Sequence, residues 1–181
     1  MTHHLPYIIE NMRACLSCVN KGVNNDTNLT FGDSNKFYLY SRSEAQAKSI
    51  SDEVVFFEPV KLPDGSKGMA FVLDRIYGTN TPSILINQIE VVYKKFAKIR
   101  RDFPEAKVSI LVSVDAIQTG GISRELLVEK LNEKLGGKLD IKEAQKVEVD
   151  VAESAAEDHY VEFGGDARTA GKREVSGVLI K

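Results

Sequence analysis

The sequence lacks most of the features that mark specialised classes of protein. It has no tryptophan and only two cysteines in 181 residues, so no disulfide framework is expected and a reducing, intracellular setting is favoured. No apolar run approaches the roughly 18 residues that a membrane-spanning helix needs. The first 20 residues also lack the apolar core of a signal peptide. We therefore expect a cytoplasmic protein, or part of a virion or other assembly formed in the cytoplasm, with no membrane partner.

The charge of the chain is nearly balanced, with 24 basic and 26 acidic residues and a net charge of −2. Such a balance gives no overall attraction to nucleic acid or anionic lipid, so a site of that kind has to be a local patch. Charged residues make up 28% of the chain and apolar residues 43%, which is typical of a folded protein. We expect one α+β domain over residues 1–181, with an N-terminal helix and Asn/Gly-rich loop (1–35), a core (36–115), and a helix plus C-terminal strands (116–181).

The strongest folding signal lies between Thr81 and Pro104. Apolar side chains recur there at alternating steps of four and three, which places them on one side of a helix: Leu85, Ile89, Val92, Phe96, Ile99 and Phe103. Thr81 is suited to cap this helix and Pro104 to end it. The pattern predicts a long amphipathic helix over residues 82–103 that packs on one face of a sheet.

The remaining elements follow from local patterns. Apolar, β-rich runs on either side of Pro63-Asp64-Gly65 predict a hairpin. Alternation over residues 108–114 predicts a strand with one buried face. Ser123 and Gly136 bound a second helix. Beyond it the hydrophobic period falls to two, which predicts C-terminal antiparallel strands near residues 147–151, 159–163 and 175–180.

The order of strands depends on residues 43–51. If this segment is a helix, residues 36–115 have the βαββαβ order of a ferredoxin-like core with a mixed or antiparallel sheet. If it is a loop, three strands, a helix and a strand follow one another, which is an RNase-H-like order. The apolar side of the segment consists only of Ala45, Ala47 and Ile50. We favour the ferredoxin-like arrangement and keep the other open.

Three acidic residues are candidate catalytic groups. Asp74 and Asp115 lie near the ends of two predicted strands, and Glu90 lies on the long helix. In an RNase-H-like arrangement such acids hold two Mg²⁺ ions for phosphodiester hydrolysis. That arrangement also calls for an aspartate in the first strand, and Phe37–Tyr40 contains none. The catalytic set is therefore incomplete.

The two cysteines form a C-x-x-C pair. Cys15 and Cys18, with His3 and His4, offer the four ligands that zinc requires. Zinc sites usually combine two compact ligand pairs, however, and Cys15 lies beside the apolar face of the predicted N-terminal helix. His159 is better explained as a surface residue. We predict neither a metal nor a cofactor.

Two basic features can contact phosphates. Lys94, Lys95, Lys98 and Arg101 lie on one side of the long helix. The glycine-rich segment 164–173 carries Arg168, Lys172 and Arg173, but it is not a Walker A loop, because a strand and not a helix is expected to follow it. A solvent-facing side of a helix and a soluble hairpin loop explain the same patterns.

The functional hypothesis follows from strong folding signals and the incomplete catalytic set. We expect a non-enzymatic binding or assembly protein, either a subunit of a macromolecular complex or a small modulator that docks on a macromolecule. Its partner is then another protein or a second copy of itself. The alternative is a nucleic-acid- or nucleotide-binding protein, or an enzyme acting on phosphodiesters, that uses the basic side of the helix and the 164–173 loop.

Overall fold

The structure is a computed structural model, and it describes residues 36–43, 48–136, 139–151 and 171–181. The elements in chain order are β1 (Lys36–Ser43), β2 (Lys48–Lys61), β3 (Lys67–Gly78), α1 (Pro82–Asp102), β4 (Val108–Ser113), α2 (Val114–Thr119), α3 (Arg124–Leu135), β5 (Ile141–Val151) and β6 (Gly171–Ile180). The helix and loop predicted within residues 1–35, the cysteine pair, and the strand predicted at 159–163 with His159 lie outside the described residues. No helix among those described is long and apolar enough to cross a lipid bilayer.

The sheet closes on itself to form a five-stranded barrel. β2 pairs with β3 in antiparallel orientation, β3 pairs with β4 in parallel, and β4, β6 and β5 continue as antiparallel neighbours. β5 then returns to the end of β2, where Val60 faces Val149 and Lys61 faces Glu148. β1 lies outside this ring and pairs with the N-terminal half of β2.

The ferredoxin-like and RNase-H-like open sheets predicted from the sequence are therefore wrong. The segment 43–51 is not a helix: β1 extends to Ser43, and β2 begins at Lys48. Its small apolar side has too little surface to hold a helix on a core, whereas both of its ends extend neighbouring strands. The resulting 14-residue β2 is long enough to pair with β1 along one half and with β5 at its end.

The long helix is confirmed over Pro82–Asp102, with the hydroxyl of Thr81 accepting a hydrogen bond from the N–H of Ile84. The apolar stripe is buried from Leu85 to Phe96 and half-buried at Ile99. Phe103 differs from the prediction, because its side chain is 65% exposed. The helix ends one residue earlier, and the C-cap φ of −137° at Phe103 turns the chain out of the helical path.

The core has two layers, one on each face of the sheet. The outer face lies under the helices and includes Val55, Phe71, Leu73, Ile110, Val112 and Val178. Strand alternation places the other buried residues inside the barrel; they include Phe56, Val60, Val72, Leu111, Val149 and Leu179, with the polar Glu58, Asp74, Ser109 and Ser113. A strand such as β4 is consequently buried on both faces, and not on one as the sequence predicted. Val114, placed in that strand by the alternation, instead begins α2.

The close pairing of β4 and β6 requires a glycine. A Cβ atom on Gly177 would lie 1.9 Å from the carbonyl oxygen of Val112, far inside van der Waals contact. The two backbones can therefore approach this closely only because Gly177 has no side chain.

Candidate functional site

The three predicted catalytic acids do not assemble into a metal site. Asp74 is buried inside the barrel, and Asp115 lies in the first turn of α2. Glu90 lies on the outer surface of α1, where hydrogen bonds from the Nζ atoms of Lys134 and Lys94 lower the pKa of its carboxyl group. In the described part of the chain, no group of three or more His, Cys, Asp and Glu side chains is placed to hold a metal ion.

Three of the four cations on the basic side of α1 are paired with carboxylates of the same helix. Lys94 is 3.0 Å from Glu90, Lys98 contacts Asp102, and Arg101 is 3.2 Å from Asp102. The contacts from Lys98 and Arg101 lower the pKa of Asp102. Lys95 is exposed and makes no ion pair with any residue that the structure describes. The side predicted from the sequence to meet phosphates thus keeps a net positive charge, but three of its four cations already contact a carboxylate.

The three basic residues predicted to lie in the 164–173 loop do not all belong to a loop, because β6 begins at Gly171. Arg168 lies outside the described residues, whereas Lys172 and Arg173 belong to β6. The Nζ atom of Lys172 is 3.0 Å from a carboxylate oxygen of Glu148 on β5, and this contact raises the pKa of Lys172. Arg173 is half-buried beside Val149 in the strand register. These two residues form part of the sheet.

A concave pocket of about 380 Å³ lies at one end of the barrel. The turn between β2 and β3, the end of α1 with its connection to β4, the start of β4 and the end of β6 form its walls. Val60 and Ser109 line it, and both belong to the interior of the barrel. The pocket is therefore the mouth of the barrel, a place where ligands commonly bind.

The β2–β3 turn forms one wall, and the predicted hairpin is confirmed. Gly65 adopts a φ of +81°, and its N–H donates to the carbonyl oxygen of Leu62. Asp64 accepts hydrogen bonds from the hydroxyl and the N–H of Ser66 at 2.6 and 2.9 Å, which lower the pKa of Asp64 to about 2. Its second oxygen lies 3.5 Å from Lys181 Nζ, so the turn and the end of β6 are held together.

Another wall of the pocket is the connection from α1 to β4. Met69 N–H donates to the carbonyl oxygen of Lys107 at 2.8 Å. A Cβ atom on Gly68 would lie 2.3 Å from that oxygen, so the absence of a side chain lets the start of β3 approach Lys107. Lys67, which precedes Gly68, is brought next to Lys107 by this contact.

Four basic side chains line this pocket, which we call the basic pocket: Lys67, Arg100, Lys107 and Lys181. Glu105 is the only acidic residue among the described residues that line it. Lys67 and Lys107 are exposed, and neither makes an ion pair with a described residue. The guanidinium of Arg100 lies 5.5 Å from the centre of the Phe96 ring, a cation–π contact that leaves its charge without a carboxylate. The pocket therefore has an excess of positive charge.

Sequence reasoning missed the basic pocket because its cations come from four separate parts of the chain. Basic residues that are close in sequence form a visible pattern, whereas Lys67, Lys107 and Lys181 have few basic neighbours. Arg100 lies in the basic segment of α1, but it is not one of the four residues of that helix predicted to contact phosphates. No protein family, curated protein or solved structure matches this chain.

Proposed function

We propose that this protein is a non-enzymatic binding protein and that it takes a phosphate-bearing ligand in the basic pocket. The observation that carries the proposal is the difference between two sets of cations. Those on the outer side of α1 are mostly paired with carboxylates of the same helix. Lys67, Arg100 and Lys107 line a concave site and have no such partners among the described residues. A bound anion would balance their charge.

The chemistry of the pocket supports binding over catalysis. The described residues that line it include no histidine or cysteine. The hydroxyl of Ser66 donates to Asp64, and that of Ser109 points to the carbonyl oxygen of Met69 at 3.5 Å. The Asp64 carboxylate, whose pKa is lowered to about 2, is a weak general base, and the backbone carbonyl of Met69 is not a base, so these contacts activate neither serine as a nucleophile. A phosphate held by lysines and an arginine needs no such group.

A pair of matched double variants tests the proposal. We expect Lys67→Gln/Lys107→Gln to weaken the binding of pyrophosphate and of a fluorescent single-stranded oligonucleotide, measured by calorimetry and by anisotropy. Because each cation that neutralises a phosphate contributes about 0.7 to the slope of log K against log salt, the slope for the oligonucleotide should fall by about 1.4. The control Lys94→Gln/Lys98→Gln removes two cations of α1 that are already paired and should change both quantities far less.

Two results would refute the proposal. One is an absence of binding to pyrophosphate and to the oligonucleotide at low salt by the unaltered protein. The other is an equal loss of affinity in the pocket variant and in the α1 control. Thermal unfolding of both variants checks that each remains folded, since all four lysines are exposed and their replacement should change stability little.

A second candidate function, as a subunit of a cytoplasmic assembly, is favoured by the edge of β1. This strand pairs with β2 on one side, and no described strand pairs with its other side. An unpaired edge is a common site for addition of a strand from a partner or a second copy. Light scattering tests this candidate: a mass above that of the monomer would support it. A strict monomer at all concentrations would contradict self-assembly.

A further inference from the structure

An exposed aromatic side chain belongs to the segment 100–107, most of which lines the basic pocket. Phe103 is 65% exposed, more than any other large apolar residue in the described structure. It lies between Arg100 and Pro104 in the chain, and both of these line the pocket. Its backbone is fixed at both ends: its N–H donates to the carbonyl oxygen of Ile99 at 2.8 Å, and its carbonyl oxygen accepts from Ala106 N–H at 3.0 Å. The ring of Phe103 is therefore exposed to solvent, while the backbone that carries it is held by two hydrogen bonds.

A cationic and an exposed aromatic residue are close together in the chain at this end of α1. Arg100 lies in the last turn of the helix, three residues before Phe103, which is its C-cap. Arg100 contacts the Phe96 ring, while the ring of Phe103 faces solvent. A nucleotide presents a matching pair of groups, a flat base and an adjacent phosphate.

We infer that the ligand of the basic pocket is single-stranded nucleic acid, with phosphates in the pocket and a base stacked on Phe103. The inference rests on the proposed function and specifies its ligand. Aromatic platforms beside a basic groove are the general means by which proteins bind single strands without reading sequence. A free phosphate does not use the exposed ring, and in a duplex the bases are already stacked on one another.

The test separates the contribution of the bases from that of the phosphates. Its ligands are a short oligothymidylate, an abasic oligonucleotide of equal length, and pyrophosphate. We expect Phe103→Ala to weaken binding of oligothymidylate by about 5- to 150-fold, the range that one base–aromatic stack gives. Binding of the abasic strand and of pyrophosphate should be unchanged, because neither has a base to stack.

A second variant keeps the ring and provides a direct signal. Phe103→Trp should retain tight binding of oligothymidylate. Since the natural chain has no tryptophan, the fluorescence of this variant reports on position 103 alone. We expect it to be quenched by oligothymidylate and not by the abasic strand.

Several outcomes would overturn the inference while leaving the proposed function intact. These are an equal loss of affinity for the base-containing and abasic strands in Phe103→Ala, no loss for either, or tighter binding of a duplex than of a single strand. Binding of polyglutamate as tight as that of oligothymidylate, and insensitive to Phe103→Ala, would point to an acidic protein partner instead. If pyrophosphate and every strand fail to bind, the proposed function fails as well.

Discussion

Glu53 on β2 carries a carboxyl group that the fold buries completely. It lies opposite Leu39 of β1 and Ile76 of β3, which both belong to the core under the helices. Neither of its carboxylate oxygens has a hydrogen-bond partner in the described structure. Burial, and to a smaller extent the negative charge of Asp74, raises the pKa of Glu53 well above its usual value. We predict that this residue destabilises the fold at neutral pH.

The magnitude follows from the unsatisfied group. Leaving a buried polar group without a partner costs about 1–3 kcal/mol, and the cost is larger when the group must be charged. Glu53→Leu removes that group and keeps an apolar side chain of similar size between Leu39 and Ile76. We therefore expect the free energy of unfolding at neutral pH to rise by about 1–3 kcal/mol. Glu53→Gln keeps a polar group that cannot titrate and should stabilise the fold less than Glu53→Leu.

The dependence on pH has a definite sign. In the unfolded chain Glu53 titrates near its ordinary pKa of about 4.3, whereas in the fold its raised pKa means that it retains its proton to higher pH. The stability of the unaltered protein should be greatest, relative to either variant, below the unfolded pKa. It should fall as the pH rises from about 4.3 to and through the folded pKa, because the unfolded state then releases a proton that the folded state keeps.

Urea denaturation followed by circular dichroism across a pH series measures both effects. The informative quantity is the difference in unfolding free energy between the unaltered protein and each variant. Glu129→Gln, at an exposed position on α3, is the control and should show little change at any pH. A difference for Glu53→Leu that is independent of pH, or a variant less stable than the unaltered protein at neutral pH, would refute the reasoning.

Two further substitutions test how local geometry supports the pocket and α1. Gly68→Ala should destabilise the fold by about 1–3 kcal/mol and weaken oligonucleotide binding, because the new Cβ pushes β3 away from the Lys107 carbonyl oxygen. Unchanged denaturation and anisotropy curves would contradict this prediction. Thr81→Ala should cost about 1 kcal/mol in urea denaturation because it removes the side-chain acceptor for Ile84 N–H. Thr81→Ser keeps that acceptor, so an equal loss in both variants would show that the cap is not responsible.

The long helix could be predicted because all of its evidence is local. Its apolar stripe, its N-cap at Thr81 and its end before Pro104 lie in one continuous segment. The one error is Phe103. The spacing of apolar residues continues to this position, but the helical backbone does not. A hydrophobic residue at the correct spacing predicts burial only while the helix lasts, and here it ends at Asp102.

The barrel could not be predicted because its closure is not local. An alternating strand looks the same in an open sheet and in a closed one, and the ring is completed by only two residue pairs between β2 and β5. One signal was nevertheless present in β4. Leu111 lies between Ser109 and Ser113 on the face that was expected to be less buried, and a strand covered on both faces reads as nearly continuous apolar or small residues.

The basic pocket shows that the number of positive residues in a segment does not predict where an anion binds. Glu90 and Lys94 are four residues apart, as are Lys98 and Asp102, and this spacing on a helix already indicates that each cation has a partner. A paired lysine must give up its carboxylate before it can bind a phosphate, so the densest basic segment of the chain is not its best anion site. Lys67 and Lys107 have no such partner among the described residues, and only the tertiary fold brings them to the same cavity. For this reason affinity for phosphates should depend on Lys67, Arg100 and Lys107 at the mouth of the barrel. It should depend far less on Lys94, Lys98 and Arg101, which are already paired.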